Sequence, residues 1–145
     1  MPGTESGSSL LIYMVKQVEL AVRAQIDEIV RPVGLTATQY TALTVLERHA
    51  DMSSAQLARY SFVTAQSMAD MITALEGRHL IERHRDKADR RRLVVALTDE
   101  GRAMLGRCRG QVDALEAAML AGLSAAQTRA LRTILATCYA NLSKL

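Results

Sequence analysis

Residues 81–98 read IERHRDKADRRRLVVALT, and this stretch decides the fold. The runs Leu80–Arg85 and Leu93–Leu97 are too short for helices. The second is rich in branched apolar residues and places Val95 and Leu97 on one face, as a strand does. The seven residues between them, Asp86–Arg92, are too polar to be buried. A β-hairpin with a basic tip is therefore expected. Residues 83–92 hold six basic and two acidic side chains, a local charge of +4, whereas the whole chain carries +3. A concentrated basic segment on a near-neutral body points to a polyanion partner. The plain alternative is a solvated loop.

Working outward, helical patterns flank the hairpin. Residues 10–31 carry apolar positions at Leu11, Met14, Val15, Val18, Val22, Ile26, Ile29 and Val30, a spacing of three and four. Arg31–Pro32 ends that helix, because proline disfavours helical geometry in the residue before it. Three Ser/Thr-x-x-Gln patterns follow, at Thr36–Gln39, Ser53–Gln56 and Ser124–Gln127. Each has the form of a capping box, in which hydroxyl and amide satisfy backbone N–H groups at a helix start. They open helices over about residues 37–49, 54–60 and 125–142. Thr64 caps another over 65–77, with Met68, Met71, Ile72 and Leu75 as its apolar stripe. Thr98, followed by Asp99 and Glu100, starts one that carries Met104, Cys108, Val112, Leu115 and Met119 to about Leu123.

The order over residues 36–98 is helix, helix, helix, two-stranded wing. The expected fold class is mainly α, an α+β winged helix-turn-helix with long N- and C-terminal dimerisation helices. The segments are a disordered tail over 1–9, an N-terminal dimerisation helix over 10–35, the winged unit over 36–98 and C-terminal dimerisation helices over 99–145. Such a unit suits duplex DNA, because its third helix enters the major groove with base contacts near its N-terminus. Thr64, Ala65, Gln66 and Ser67 are the expected exposed residues there. The wing, with Arg85, Lys87, Asp89, Arg90, Arg91 and Arg92, sends an arginine into the flanking minor groove. A winged helix also serves as a protein-interaction module, and that reading stays open. The flanking helices carry more apolar face than one small domain covers, which favours a homodimer reading two half-sites.

Other chemistry is thinly represented. No apolar run reaches the ~18 residues of a membrane span. The N-terminus lacks the basic residues of a signal peptide. With two cysteines, Cys108 and Cys138, the chain is no disulfide scaffold, and a reducing cytoplasmic setting is expected. His49, His79 and His84 lack metal-ligand spacing, so no metal is expected. There is no Ser-His-Asp set, P-loop or dinucleotide turn, so neither enzyme activity nor a cofactor is expected. Both cysteines fall on apolar stripes and read as small buried hydrophobes. A redox switch at Cys108 is the alternative, with Arg107 and Arg109 beside it to lower its pKa.

The stretch SSAQLARYSFVTAQSMADMITALEGRHLIER, followed by DKADRRRLVVALTDEG, resembles the MarR family of bacterial transcription regulators. The strongest match is Asp89–Arg90–Arg91 followed by Leu93, Val95, Leu97–Thr98 and Gly101. Leu75–Glu76, Leu80–Ile81 and Arg83 match as well, and the likeness extends over about residues 10–143. It implies a homodimeric repressor on a pseudo-palindromic operator in double-stranded DNA, with 65–77 as recognition helix. It implies that Arg91, helped by Arg90, enters the minor groove and that Asp89 orients it. It also implies a small phenolic or lipophilic effector between the dimer helices and the winged unit, for which Tyr13, Met14, Gln17 and Tyr40 are the expected lining. Two positions depart from the pattern. His79 stands where the family has a glycine suited to a left-handed helix cap. Asp70 stands where a basic or hydroxyl residue is common, and its carboxylate suits a cytosine amino group rather than a phosphate.

Overall fold

The computed structural model describes residues 4–145, with side chains from residue 10 onward. The element order is α1 (Thr4–Val30), α2 (Ala37–Arg48), α3 (Ser54–Tyr60), α4 (Ala65–Gly77), β1 (Ile81–Arg85), β2 (Leu93–Leu97), α5 (Asp99–Met119) and α6 (Ala125–Leu142). This corrects the tail expected over 1–9: residues 4–9 are helical and carry α1 six residues before its expected start, and residues 1–3 lie outside the described residues.

Local chemistry places the helix ends. α1 runs into a 3-10 turn over Arg31–Val33 containing Pro32, and Gly34 closes it at φ 78°. Thr36, Ser53 and Ser124 each accept from the backbone N–H three residues on, and Gln39, Gln56 and Gln127 reach back to complete the boxes. Thr64 accepts from Ser67 N at 3.1 Å, and Thr98 from Gly101 N at 3.0 Å. Asp27, on α1, adds a second cap to α2 by accepting from Ala37 N at 2.7 Å.

No glycine stands at the left-handed cap position that follows α4. His79 adopts φ 60°. His79 N donates to Glu76 O at 2.9 Å and Leu80 N to Leu75 O at 3.1 Å. This is the paired bonding of a Schellman cap, with His79 in the left-handed position and Leu75 and Leu80 both buried. Histidine tolerates the conformation at a cost of about 1–2 kcal/mol.

The sheet is the antiparallel pair β1–β2, in register Ile81↔Leu97 through Arg85↔Leu93. A single bridge, Met52↔Val95, adds the segment before α3 to it. Ile81, Val95 and Leu97 face the core as alternation predicts. Val94 is buried as well, on the opposite face.

One compact unit extends to Val112 and holds the core. Leu43, Leu57, Met68, Ile72, Leu75, Ile81 and Leu105 are fully buried there, joined by Val30 from the end of α1 and Cys108 from α5. Each large side chain so buried contributes about 1.5–3 kcal/mol. The boundary of this unit falls inside α5. The apolar stripe on α5 is buried only as far as Cys108; Leu115 is half-buried and Met119 is 45% exposed.

The second unit, Asp113–Leu145, is a helical hairpin turning at Gly122 (φ 88°). α6 buries no residue, and Ile134, Leu135, Tyr139 and Leu142 are all more than half exposed. Cys138 is exposed, a correction to its expected burial: its stripe has nothing to cover it among the described residues.

Candidate nucleic-acid interface

The exposed first turn of α4 and the tip of the wing both belong to the first unit. Thr64, Ala65, Gln66, Ser67 and Asp70 are all exposed. Met68, Ile72 and Leu75, on the opposite face, anchor the helix in the core. Thr64 Oγ1 lies 3.0 Å from Ser67 Oγ, so these two hydroxyls are held together by the cap. Gln66 and Asp70 are four residues apart and share an outward face.

The acids inside the basic segment shape its turn. Asp86 accepts from Ala88 N at 3.0 Å, and Asp89 from Arg91 N at 3.1 Å. Asp86 N–Arg92 O (2.8 Å) and Arg92 N–Asp89 O (2.9 Å) close the loop. These are Asx-type turns, which Asp forms with the backbone two residues on. The result leaves Lys87, Arg90 and Arg91 outward. The Arg91 side chain is 97% exposed, with its Nε 3.7 Å from Asp89. Arg85 is exposed and donates to Arg91 O at 3.4 Å.

Arg92 behaves differently from its neighbours. It pairs with Asp86 at 3.4 Å and donates to Gln56 Oε1 on α3. It holds the wing down instead of reaching outward. Two further ties, not anticipated from sequence, do the same. Arg83 donates to Glu76 through Nε at 3.1 Å and Nη2 at 3.0 Å, joining β1 to the end of α4. That bonding holds the Glu76 carboxyl below its usual range and raises Arg83 further. His84 Nε2 lies 3.0 Å from Asp51 Oδ1, in the turn before α3. The wing is thus fastened to α4, to α3 and to the α2–α3 turn, while its tip stays free.

The expected effector residues do not gather. Tyr13, Met14 and Gln17 stand exposed along α1. Tyr40 is half-buried on α2, and burial pushes its phenol up. None of the four lines the cavity of about 400 Å³ between α1, the start of α2 and the α3–α4 turn. That cavity has Val22, Ile26, Ala37 and Val63 as apolar wall, with Thr38, Thr41, Ser61 and the paired Glu19 and Arg23 as polar groups. Phe62, 76% exposed and at φ 62°, stands at its edge. Ser61 is 3% exposed and its hydroxyl has no hydrogen-bond partner.

Cys108 is 2% exposed, and burial pushes its thiol up against the opposing influence of Arg107. Arg109 is bonded to Glu47 at 2.7 and 2.8 Å. This corrects the redox alternative: a thiolate sensor needs exposure and a lowered pKa. Among the described residues no three His, Cys, Asp or Glu side chains gather as a metal site, and no helix is long and apolar enough to cross a membrane.

Comparison with known proteins agrees with this geometry. The family model described as MarR family matches residues 35–93. HTH-type transcriptional repressors of Mycobacterium bovis and Mycobacterium tuberculosis are 32% identical over 123 residues, spanning 85% of this chain and 88% of theirs. The chain belongs to the MarR family. Among solved structures, the transcriptional repressor CouR bound to a 23-mer DNA duplex is 33% identical, with TM-score 0.76, covering 91% of this chain and 94% of its own. CouR from Rhodococcus jostii bound to p-coumaroyl-CoA shares the fold at TM-score 0.79 and 23% identity, over 86% and 88% of the two chains.

Proposed function

We propose that this MarR-family protein is a cytoplasmic, homodimeric transcription repressor that binds a pseudo-palindromic operator. The first turn of α4 reads base edges in the major groove. Gln66 pairs with adenine N6/N7, Asp70 accepts from a cytosine amino group, and Ala65 and Thr64 meet thymine methyls. Arg91, with Arg90 and Lys87 beside it, enters the flanking minor groove. The single observation that carries this reading is the division of labour within the basic segment. Arg83 and Arg92 are spent on holding the wing, whereas Arg91 stands 97% exposed at a tip shaped by Asp89. The exposed apolar residues of α1, from Leu10 to Leu20, and those of α6 supply the faces for a second copy.

Fluorescence anisotropy with an operator duplex tests the reading. The logarithm of the binding constant falls linearly with log salt concentration, with a slope tracking the phosphates neutralised. Arg91→Ala costs about 1–3 kcal/mol of operator affinity while the dimer stays folded. Flat salt dependence would assign the fold to protein contacts instead.

On the same reading the repressor responds to a small amphipathic molecule. The cavity beside Ser61 has an apolar wall, hydroxyls and a charged pair at one side, which suits an aromatic or aliphatic body bearing a hydroxyl or carboxyl. A ligand there acts only through its differential affinity for the DNA-competent and released forms.

A further inference from the structure

Arg78, the residue that follows α4, donates from Nη2 to Val33 O and from Nη1 to Gly34 O, both at 2.8 Å. These carbonyls lie 44 and 45 residues earlier in the chain, in the turn between α1 and α2. The guanidinium fork bridges two consecutive carbonyls, a geometry that a lysine ammonium does not reproduce. The seat is built for it. Gly34 adopts φ +78°, and a Cβ at that position would sit 3.3 Å from Arg78 Nη1. Asp27 ties the same turn from the other side, through Ala37 N at 2.7 Å. The end of α1, the start of α2 and the trailing end of α4 therefore meet at one node.

We propose that Arg78 is a positioning residue that fixes the pitch of the recognition helix against α1 and so sets the half-site spacing read by the dimer. The inference rests on the DNA-binding reading above. α4 has 13 residues, a length of about 20 Å. Tilting it about its trailing end by about 10° moves its first turn by about 3.4 Å, one base-pair step. Two copies aligned through α1 then reach windows about one helical turn apart only if each α4 keeps its angle to α1. The core contacts of Met68, Ile72 and Leu75 hold the helix down; the Arg78 fork limits its swing.

The test uses an operator recovered by selection from random duplexes, together with versions lengthened or shortened by one base pair at the centre. Wild-type protein loses about tenfold or more in affinity on the altered spacings, whereas Arg78→Ala and Arg78→Lys both lose only about twofold. Salt slope and affinity for random duplex stay at wild-type values in both variants. If Arg78 is instead a phosphate contact, Arg78→Ala lowers the salt slope by about 1, Arg78→Lys behaves as wild type, and the proposal is overturned. Unchanged spacing discrimination in both variants overturns it as well. Arg78→Lys, the milder change, carries the test if the alanine variant loses its fold. Failure of the wild type to prefer any duplex removes the DNA-binding reading and the proposal together, which separates that failure from one confined to Arg78.

Discussion

Two glycines of α5 receive opposite consequences from one substitution. Gly101 lies in the first helical turn, where an added Cβ would sit 2.3 Å from Leu80 O, 2.5 Å from Leu97 Cδ1 and 3.1 Å from Leu97 Cγ. Carbon and carbonyl oxygen approach to about 3.3 Å at closest. Gly101→Ala must therefore push the start of α5 about 1 Å from the start of β1. That movement stretches Thr98 N–Leu80 O, now 3.1 Å, and Thr98 Oγ1–His79 O, now 2.6 Å. Each such bond is worth about 1 kcal/mol net. Residual overpacking adds about 1–3 kcal/mol. The helix preference for alanine returns about 1 kcal/mol. A net loss of about 2–4 kcal/mol is expected. Gly106, in the same helix, has no atom within 4 Å of an added Cβ. Gly106→Ala keeps the propensity gain alone, up to about 1 kcal/mol of added stability. Urea unfolding followed by far-UV circular dichroism, at one fixed protomer concentration, reads both differences. A Gly101→Ala protein as stable as wild type, or a Gly106→Ala protein destabilised as much as Gly101→Ala, would refute the reasoning.

Further outcomes follow from single contacts. His79→Gly relieves the left-handed strain at φ 60° and raises stability by about 0.5–1 kcal/mol after the larger chain entropy of glycine is set against it; a loss would mean the imidazole has a stabilising partner. The Glu76 carboxyl is held down by Arg83, so its contribution is present above its unfolded pKa and lost as pH falls through the lower folded value. Glu76→Gln should flatten that acid limb in urea titrations run from neutral to acid pH, and an unaltered limb would contradict the assignment. Ser61→Ala removes a buried hydroxyl without a partner and is expected to leave stability unchanged or raise it by about 1 kcal/mol. The same variant should blunt effector-induced release from DNA in anisotropy assays; full response would place the effector elsewhere.

What was legible in the sequence is what local chemistry dictates. Three Ser/Thr-x-x-Gln boxes and Thr64 placed helix starts correctly, because cap and backbone lie within four residues of each other. The hairpin was legible because short branched runs flank a segment too polar to bury. The ties that orient the wing were not. Arg92 with Gln56, Arg83 with Glu76 and His84 with Asp51 meet only once the chain has folded, and no spacing rule connects them. Asp51 and Phe62 take positive φ with no glycine to signal it, whereas His79 does so at the position where the family resemblance implies a left-handed cap. Apolar periodicity identified the stripes of α5 and α6, but a stripe says which face seeks cover and not what covers it. The proposed DNA-reading residues were legible as exposed positions on a capped helix and a charged turn. The expected effector residues rested on the family resemblance and on no such local rule, and the cavity beside Ser61 is lined by none of them.

Hydroxyl-radical footprinting of the protein on its selected operator tests the central claim most directly. The account predicts two protected windows centred about 34 Å apart, each flanked by minor-groove protection that Arg91→Ala removes while the central windows persist. A single window, or flanking protection that survives loss of the Arg91 side chain, would contradict it.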